Sequence, residues 1–212
     1  MMFAMRRAMI NYDLKLKEII ASLDEKKVPK LLLHACCGPC SSYVLSYLTN
    51  YFDITILYYN PNIYPEEEYI RRKDEAKRLI GEMPFKYPVK FIETDYIPDE
   101  FYLAVKGKEQ LGERSLRCFE CYKLRLDKTA KYAKDFGYDY FTTTLSISPY
   151  KNASWINEIG EELQNKYNIK YLYGDFKKND GYKKSLEYSK EYNLYRQDYC
   201  GCVYSKEERL NH

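Results

Sequence analysis

All seven cysteines of the chain fall into three tight groups: Cys36, Cys37 and Cys40; Cys118 and Cys121; Cys200 and Cys202. Thiols used as core filler would be scattered along 212 residues. Grouping of this kind points to sites that meet in space and hold a redox metal centre. An odd count argues against a simple disulfide framework, and in a reducing compartment paired cysteines serve more often as metal ligands or redox catalysts than as staples.

Cys118 and Cys121 are spaced i, i+3, which on a helix puts both thiols on one face. Close to a helix N-terminus, the dipole and the free amides favour the thiolate, the form that binds metals. Cys36 and Cys37 are adjacent and would diverge on regular structure, but a tight turn at Gly38-Pro39 turns both toward one centre. Two pairs give four thiolates, the number that an iron–sulfur cluster or a structural zinc site requires. Cys37-Gly-Pro-Cys40 also has the Cys-x-x-Cys form of a thioredoxin-like redox motif, although with an extra cysteine before it and no Trp beside it. Cys200 and Cys202 are near enough to bridge across Gly201, and so small a ring is strained and easily reduced, which suits catalysis better than structure. The other reading of that pair is two further metal ligands. Two histidines, His34 and His212, do not make a histidine-based metal site.

The elements that must position these groups follow from hydrophobic periodicity and turn signals. Helices are expected at 11–22, 41–50, 65–83, 98–106, 118–136, 152–167 and 181–192, and strands at 30–35, 53–59, 89–93, 138–143 and 169–173. Residues 107–117 read as a loop, and the stretch after 192 as a tail carrying the last cysteines. Strand and helix alternate five times, which predicts right-handed βαβ units: an α/β fold with a mainly parallel five-stranded sheet and helices on both faces. Residues 1–29 read as an N-terminal helical extension and 30–212 as one α/β domain. Ligands of such sheets sit beyond the carboxyl ends of the strands. The first cysteine group lies there, as do the loops 94–96 and 143–152.

Composition excludes several classes. Net charge is +3 from 34 basic and 31 acidic residues, so no bulk field marks a nucleic-acid binder. Local basic clusters exist, and Arg114 and Arg117 stand out because they flank a cysteine pair and could grip phosphates. Mean hydropathy is −0.63 with no long apolar run, so no membrane span is expected. Residues 1–10 are apolar with Arg6 and Arg7 inside them, unlike a secretory signal, and a cytoplasmic protein is expected. No Walker loop is present, and the loop after the first strand lacks the Ser-Gly-Gly cradle of ATP-dependent tRNA thiolases.

Several segments together match a known family: His34-Ala-Cys-Cys-Gly-Pro-Cys40, Tyr59-Asn-Pro-Asn-Ile-Tyr-Pro65, Arg117-Cys-Phe-Glu-Cys-Tyr122, Thr142-Thr-Thr-Leu-Ser-Ile-Ser-Pro-Tyr-Lys-Asn152, Tyr173-Gly-Asp-Phe-Lys-Lys178 and Tyr195-Arg-Gln-Asp-Tyr-Cys-Gly-Cys-Val-Tyr-Ser205. In this order they resemble the QueH-type epoxyqueuosine reductases, the cobalamin-independent enzymes of tRNA queuosine synthesis. The resemblance spans about Asn11 to Ser205. It implies a Rossmann-like sheet of the adenine-nucleotide α-hydrolase kind and a [4Fe–4S] cluster on Cys36, Cys37, Cys118 and Cys121. It also implies a redox-active disulfide at Cys200 and Cys202, and an additional mononuclear iron held partly by an aspartate, with Asp95 the first candidate and Asp175 the second. Cys40 is the remaining thiol and is expected to assist. The implied substrate is tRNA carrying epoxyqueuosine, with an unidentified electron donor. Two other readings stay open: a thiol–disulfide oxidoreductase, and a zinc-stabilised RNA-binding module.

Overall fold

The computed structural model describes residues 10–24 and 26–210. The expectations for 1–9 and His212 lie outside them. Five strands, β1 (Lys30–His34), β2 (Asp53–Tyr58), β3 (Lys90–Glu93), β4 (Tyr140–Thr143) and β5 (Lys170–Tyr171), form one sheet in the order β3-β2-β1-β4-β5. Every pairing is parallel. Eight helices accompany them among the described residues: α1 (Tyr12–Ala21), α2 (Gly38–Leu48), α3 (Glu66–Glu82), α4 (Pro98–Ala104), α5 (Leu116–Asp135), α6 (Ala153–Tyr167), α7 (Gly181–Glu191) and α8 (Val203–Leu210).

β1 explains the layering. Leu31 and Leu33 point to one face and Leu32 to the other, because side chains alternate along a strand. Leu31 and Leu33 join Ile54 and Ile56 beneath α2 and α3, while Leu32 joins Phe141 beneath α5 and α6. All three leucines are fully buried, as central strands of a doubly covered sheet require. α1 spans the margin, with Leu16 in the first layer and Tyr12 in the second.

The strand order reverses between β1 and β4, so their carboxyl ends open a crevice, the usual ligand position of such sheets. The segments after β1 and β4 run along it. α2 starts three residues earlier than the periodicity suggests: Cys37 is its N-cap, with Gly38 and Pro39 in the first turn, where Pro's missing N–H costs nothing. α5 likewise starts at Leu116, with the Ser115 hydroxyl accepting from the Arg117 amide, so Cys118 lies within its first turn. After β4 the chain makes a 3-10 turn at Thr144–Ile147 rather than a plain loop, and the Thr143 hydroxyl caps it.

The segment after α7 is strapped onto α3. Tyr195 donates its amide to Glu75 (2.6 Å) and its hydroxyl to Glu68 (3.0 Å), and the Arg71 guanidinium lies 3.4 Å from the Tyr195 ring centre. The Tyr64 amide then donates to the Gly201 carbonyl at 2.8 Å. This strap carries Cys200 and Cys202 back to the crevice, and α8 follows, held by Arg117–Glu208 (2.7 Å). No described helix is long and apolar enough to cross a membrane.

Candidate metal centre and active site

The first cysteine group is compact. The sulfurs of Cys36, Cys37 and Cys40 lie within 4.8 Å of one another, and among the described residues they are the one trio of potential ligands so gathered. Cys36 and Cys37, adjacent in sequence, bring their Sγ atoms to 3.8 Å. Extended Cys37 (φ −168°) makes this possible by turning the chain into α2.

Cys118, Cys121, Cys200 and Cys202 line one small cavity, together with Arg117, Arg125 and Tyr122. Cys121 and Cys202 pack in a common apolar cluster with Phe101. A second, larger cavity of about 530 Å³ is lined by Cys40, Cys200, Lys151, Tyr150, Asp198 and Gln197, among others. Cys200 faces both cavities. Gln197 reaches the first group from the strap, donating to Cys37 Sγ at 3.3 Å. Cys40 of the first group and both cysteines of the second thus line adjoining cavities that share Cys200 of the third.

The electrostatics of this rim are cationic. Arg72, Arg117 and Arg125 are almost wholly buried. Arg72 has Glu68 (2.6 Å) and Arg117 has Glu208 (2.7 Å). Arg125 has no carboxylate: its Nε donates to the Cys121 carbonyl (3.0 Å), and its Nη2 has no partner. The Lys151 ammonium makes no ion pair or hydrogen bond among the described residues. A buried cation without an anion is costly, so Arg125 calls for negative charge nearby, and half-buried Lys151 adds positive charge to the wall of the larger cavity. Arg125 lines the small cavity with Cys121 and Cys200, and Lys151 lines the larger one with Cys40 and Cys200.

The thiols differ accordingly. Hydrogen bonds from Cys37 and Cys40 hold Cys36 well below the ordinary thiol range, with help from Lys151 and Arg125. The hydrogen bond it gives Cys36 pushes Cys37 up to about 11, and Cys40 is also raised. Burial pushes Cys121 up to about 12. Cys118 is raised by burial too, so its place at a helix start does not by itself make it a thiolate.

Beneath the crevice sits His34, fully buried. Its Nε2 donates to the Tyr59 carbonyl (3.2 Å), which leaves Nδ1 to accept from the Thr143 hydroxyl (2.8 Å). The ring ties β1 to β4 where they diverge. Burial, and then the Arg125 charge, lower its pKa to about 3, so it stays neutral.

The two candidate aspartates stand apart from both cavities. Asp95 is exposed beyond the edge strand β3, and Asp175 pairs with Lys177 at 2.7 Å. The aspartate that shares a cavity with Cys40 and Cys200 is Asp198. Arg117, expected to grip phosphates, is buried against Glu208 instead, whereas Arg114 is exposed. Sequence reasoning did not single out Arg125 for this site; its i, i+4 spacing from Cys121 was the available signal. It placed the loop 143–152 at the strand ends without singling out Lys151, which lines the larger cavity with Cys40 and Cys200.

The family model described as epoxyqueuosine reductase QueH matches residues 31–208. The epoxyqueuosine reductase QueH of Staphylococcus epidermidis is 46% identical over 206 residues, 95% of this chain and 87% of the relative. That of Streptococcus pyogenes serotype M1 is 45% identical over 92% of this chain and 78% of the relative, and that of Thermotoga maritima 36% identical over 84% and 91%.

Proposed function

The chain belongs to the QueH family of epoxyqueuosine reductases, and from that premise we propose that it removes the epoxide oxygen of epoxyqueuosine at the wobble position of tRNA. The observation that carries the reading is that five cysteines line two adjoining cavities sharing Cys200, with Cys36 and Cys37 gathered against Cys40 behind one of them.

The net change at the substrate takes up two electrons and two protons: both C–O bonds of the epoxide break, a C=C bond forms, and the oxygen leaves as water. A dithiol supplies this balance, since two thiols give up two electrons and two protons and become a disulfide. Cys200 and Cys202 are that pair in our reading, placed beside the larger cavity where substrate enters. An external donor, of a class that reduces disulfides, restores them.

Cys36, Cys37, Cys118 and Cys121 would hold a [4Fe–4S] cluster. The donor set fits: four thiols near buried Arg125 and half-buried Lys151, neither of which pairs with a carboxylate among the described residues. Cys40, with Asp198, would contribute to an additional iron, in place of Asp95 or Asp175. Bound iron would supply one-electron transfer and Lewis acidity toward the epoxide oxygen. The chain's own groups bind and orient: Gln197 fixes Cys37, Arg72 fixes the strap, and Lys151 holds positive charge where oxygen develops negative charge.

The test is conversion of an anticodon stem-loop carrying epoxyqueuosine, followed by mass loss of one oxygen. The wild-type protein should convert many equivalents, and Cys202→Ser at most about one. Full multiple turnover by Cys202→Ser removes the pair from the cycle, and no conversion by reduced, iron-replete wild type refutes the reading.

A further inference from the structure

The turn after the 3-10 segment displays two consecutive residues in opposite settings. Ser148 braces it: its hydroxyl accepts from the Tyr150 amide (3.3 Å) and its carbonyl from the Lys151 amide (3.2 Å). Asn152 then caps α6, accepting from the Trp155 amide at 3.2 Å. Lys151 lines the large cavity with Cys40 and Cys200. Tyr150, next to it, is 57% exposed yet lines the same large cavity. Arg114 sets its guanidinium over the Tyr150 ring, 5.3 Å from the centre. Arg114 is the one partner of the Tyr150 ring among the described residues, so the rest of the ring is open to the cavity it lines.

Consecutive Cα atoms lie about 3.8 Å apart. In epoxyqueuosine the epoxide-bearing cyclopentane hangs from a 7-deazaguanine by a short aminomethyl link. Tyr150 and Lys151, so spaced, line the same cavity as Cys40 and Cys200, which puts an aromatic ring in the cavity that a cyclopentane must enter to reach those sulfurs. A base lifted out of its strand is generally read by stacking on aromatic side chains. We propose that Tyr150, backed by Arg114, is the stacking platform for the 7-deazaguanine of the target nucleoside and thereby sets specificity for a base-linked epoxide. The proposal rests on the reductase reading above and adds a binding role to it.

The test compares wild type, Tyr150→Ala and Tyr150→Phe on two substrates: the epoxyqueuosine stem-loop and the free epoxyqueuosine nucleoside. Stacking on one base is worth about 1–3 kcal/mol, so Tyr150→Ala should raise KM on the order of tenfold for both substrates. Little change in kcat is expected, because stacking binds ground and transition states alike. Tyr150→Phe keeps the ring and should restore KM. Equilibrium binding of the queuosine nucleoside, measured without turnover, should weaken by the same factor in Tyr150→Ala. An unchanged KM overturns the platform, and so does a rise confined to the stem-loop, which would put Tyr150 against a neighbouring nucleotide. If wild type binds the nucleoside through Tyr150 yet turns over neither substrate, the platform stands and the reductase reading falls.

Discussion

Arg72 donates from Nη1 to the Cys200 carbonyl oxygen at 3.1 Å, joining residues 128 apart in sequence. The same guanidinium donates through Nε to Glu68 at 2.6 Å and through Nη2 to the Tyr199 carbonyl at 3.4 Å. A buried, planar fork thus fastens the last cysteine pair to α3, and through α3 to the sheet that carries the first cysteine group.

Removing that fork should be costly. Arg72→Met leaves Glu68 buried without its cation, and breaking such a pair costs roughly 3–5 kcal/mol. Arg72→Lys keeps the charge but loses the geometry that serves two carbonyls, costing about 1–2 kcal/mol. Urea unfolding of both variants measures the difference. Multiple-turnover activity should fall in Arg72→Lys even where the protein stays folded, because the strap is loosened at Cys200. Equal stability of wild type and Arg72→Met would contradict this anchoring.

Gly201 has no room to change. Its φ is +135°, and an added Cβ would meet Arg72 Nη1 at 3.0 Å and Ile63 Cγ1 at 3.3 Å. Gly201→Ala should therefore cost about 1–3 kcal/mol in backbone strain alone and displace either Arg72 or the cysteine pair. The thiol–disulfide midpoint potential of the Cys200/Cys202 pair, read by redox titration of the variant against wild type, should shift. An unchanged potential with unchanged stability would show that the bend is not needed.

His34 predicts a pH dependence with a definite sign. The unfolded chain takes up a proton near 6.5, while the folded protein resists until about 3. The unfolded state therefore binds more protons across that window, so stability is full above pH 6.5 and declines as pH falls toward 3. Between pH 6.5 and 5 the loss should be about 2 kcal/mol. His34→Gln should be less stable at pH 7, because the Thr143 and Tyr59 links are perturbed, but should lack this slope. The window lies above most carboxylate titration, and His212 is the only other histidine. A slope that persists in His34→Gln would assign it elsewhere.

These features were unequally legible in the sequence. The sheet was readable because Leu31-Leu32-Leu33 is an uninterrupted apolar run and Ile54–Tyr58 is apolar but for Thr55, each between turn residues. The sulfur groups were readable because cysteine is scarce outside them. β5 was expected over 169–173, but only Lys170–Tyr171 is strand, although the Leu172 amide still donates to Phe141. α8 was missed because Val203–Leu210 is mostly polar and owes its place to tertiary contacts: Arg117 on Glu208, and Tyr204 beside Phe101. The role of Arg117 was misread for the same reason, since its partner lies 91 residues away. Spacing locates ligands on one element; it cannot foresee which distant carboxylate will neutralise a buried guanidinium, or that Asp198 rather than Asp95 shares a cavity with Cys40.

The most direct test is iron and acid-labile sulfide, with the visible spectrum, on anaerobically purified protein, wild type beside Cys118→Ala. The account predicts a brown wild type holding about four irons and four sulfides, with any additional iron above that, and a Cys118→Ala variant that is folded, colourless and unable to reduce epoxyqueuosine. A wild type that binds zinc and no sulfide, or a colourless Cys118→Ala that still converts the substrate, would contradict it.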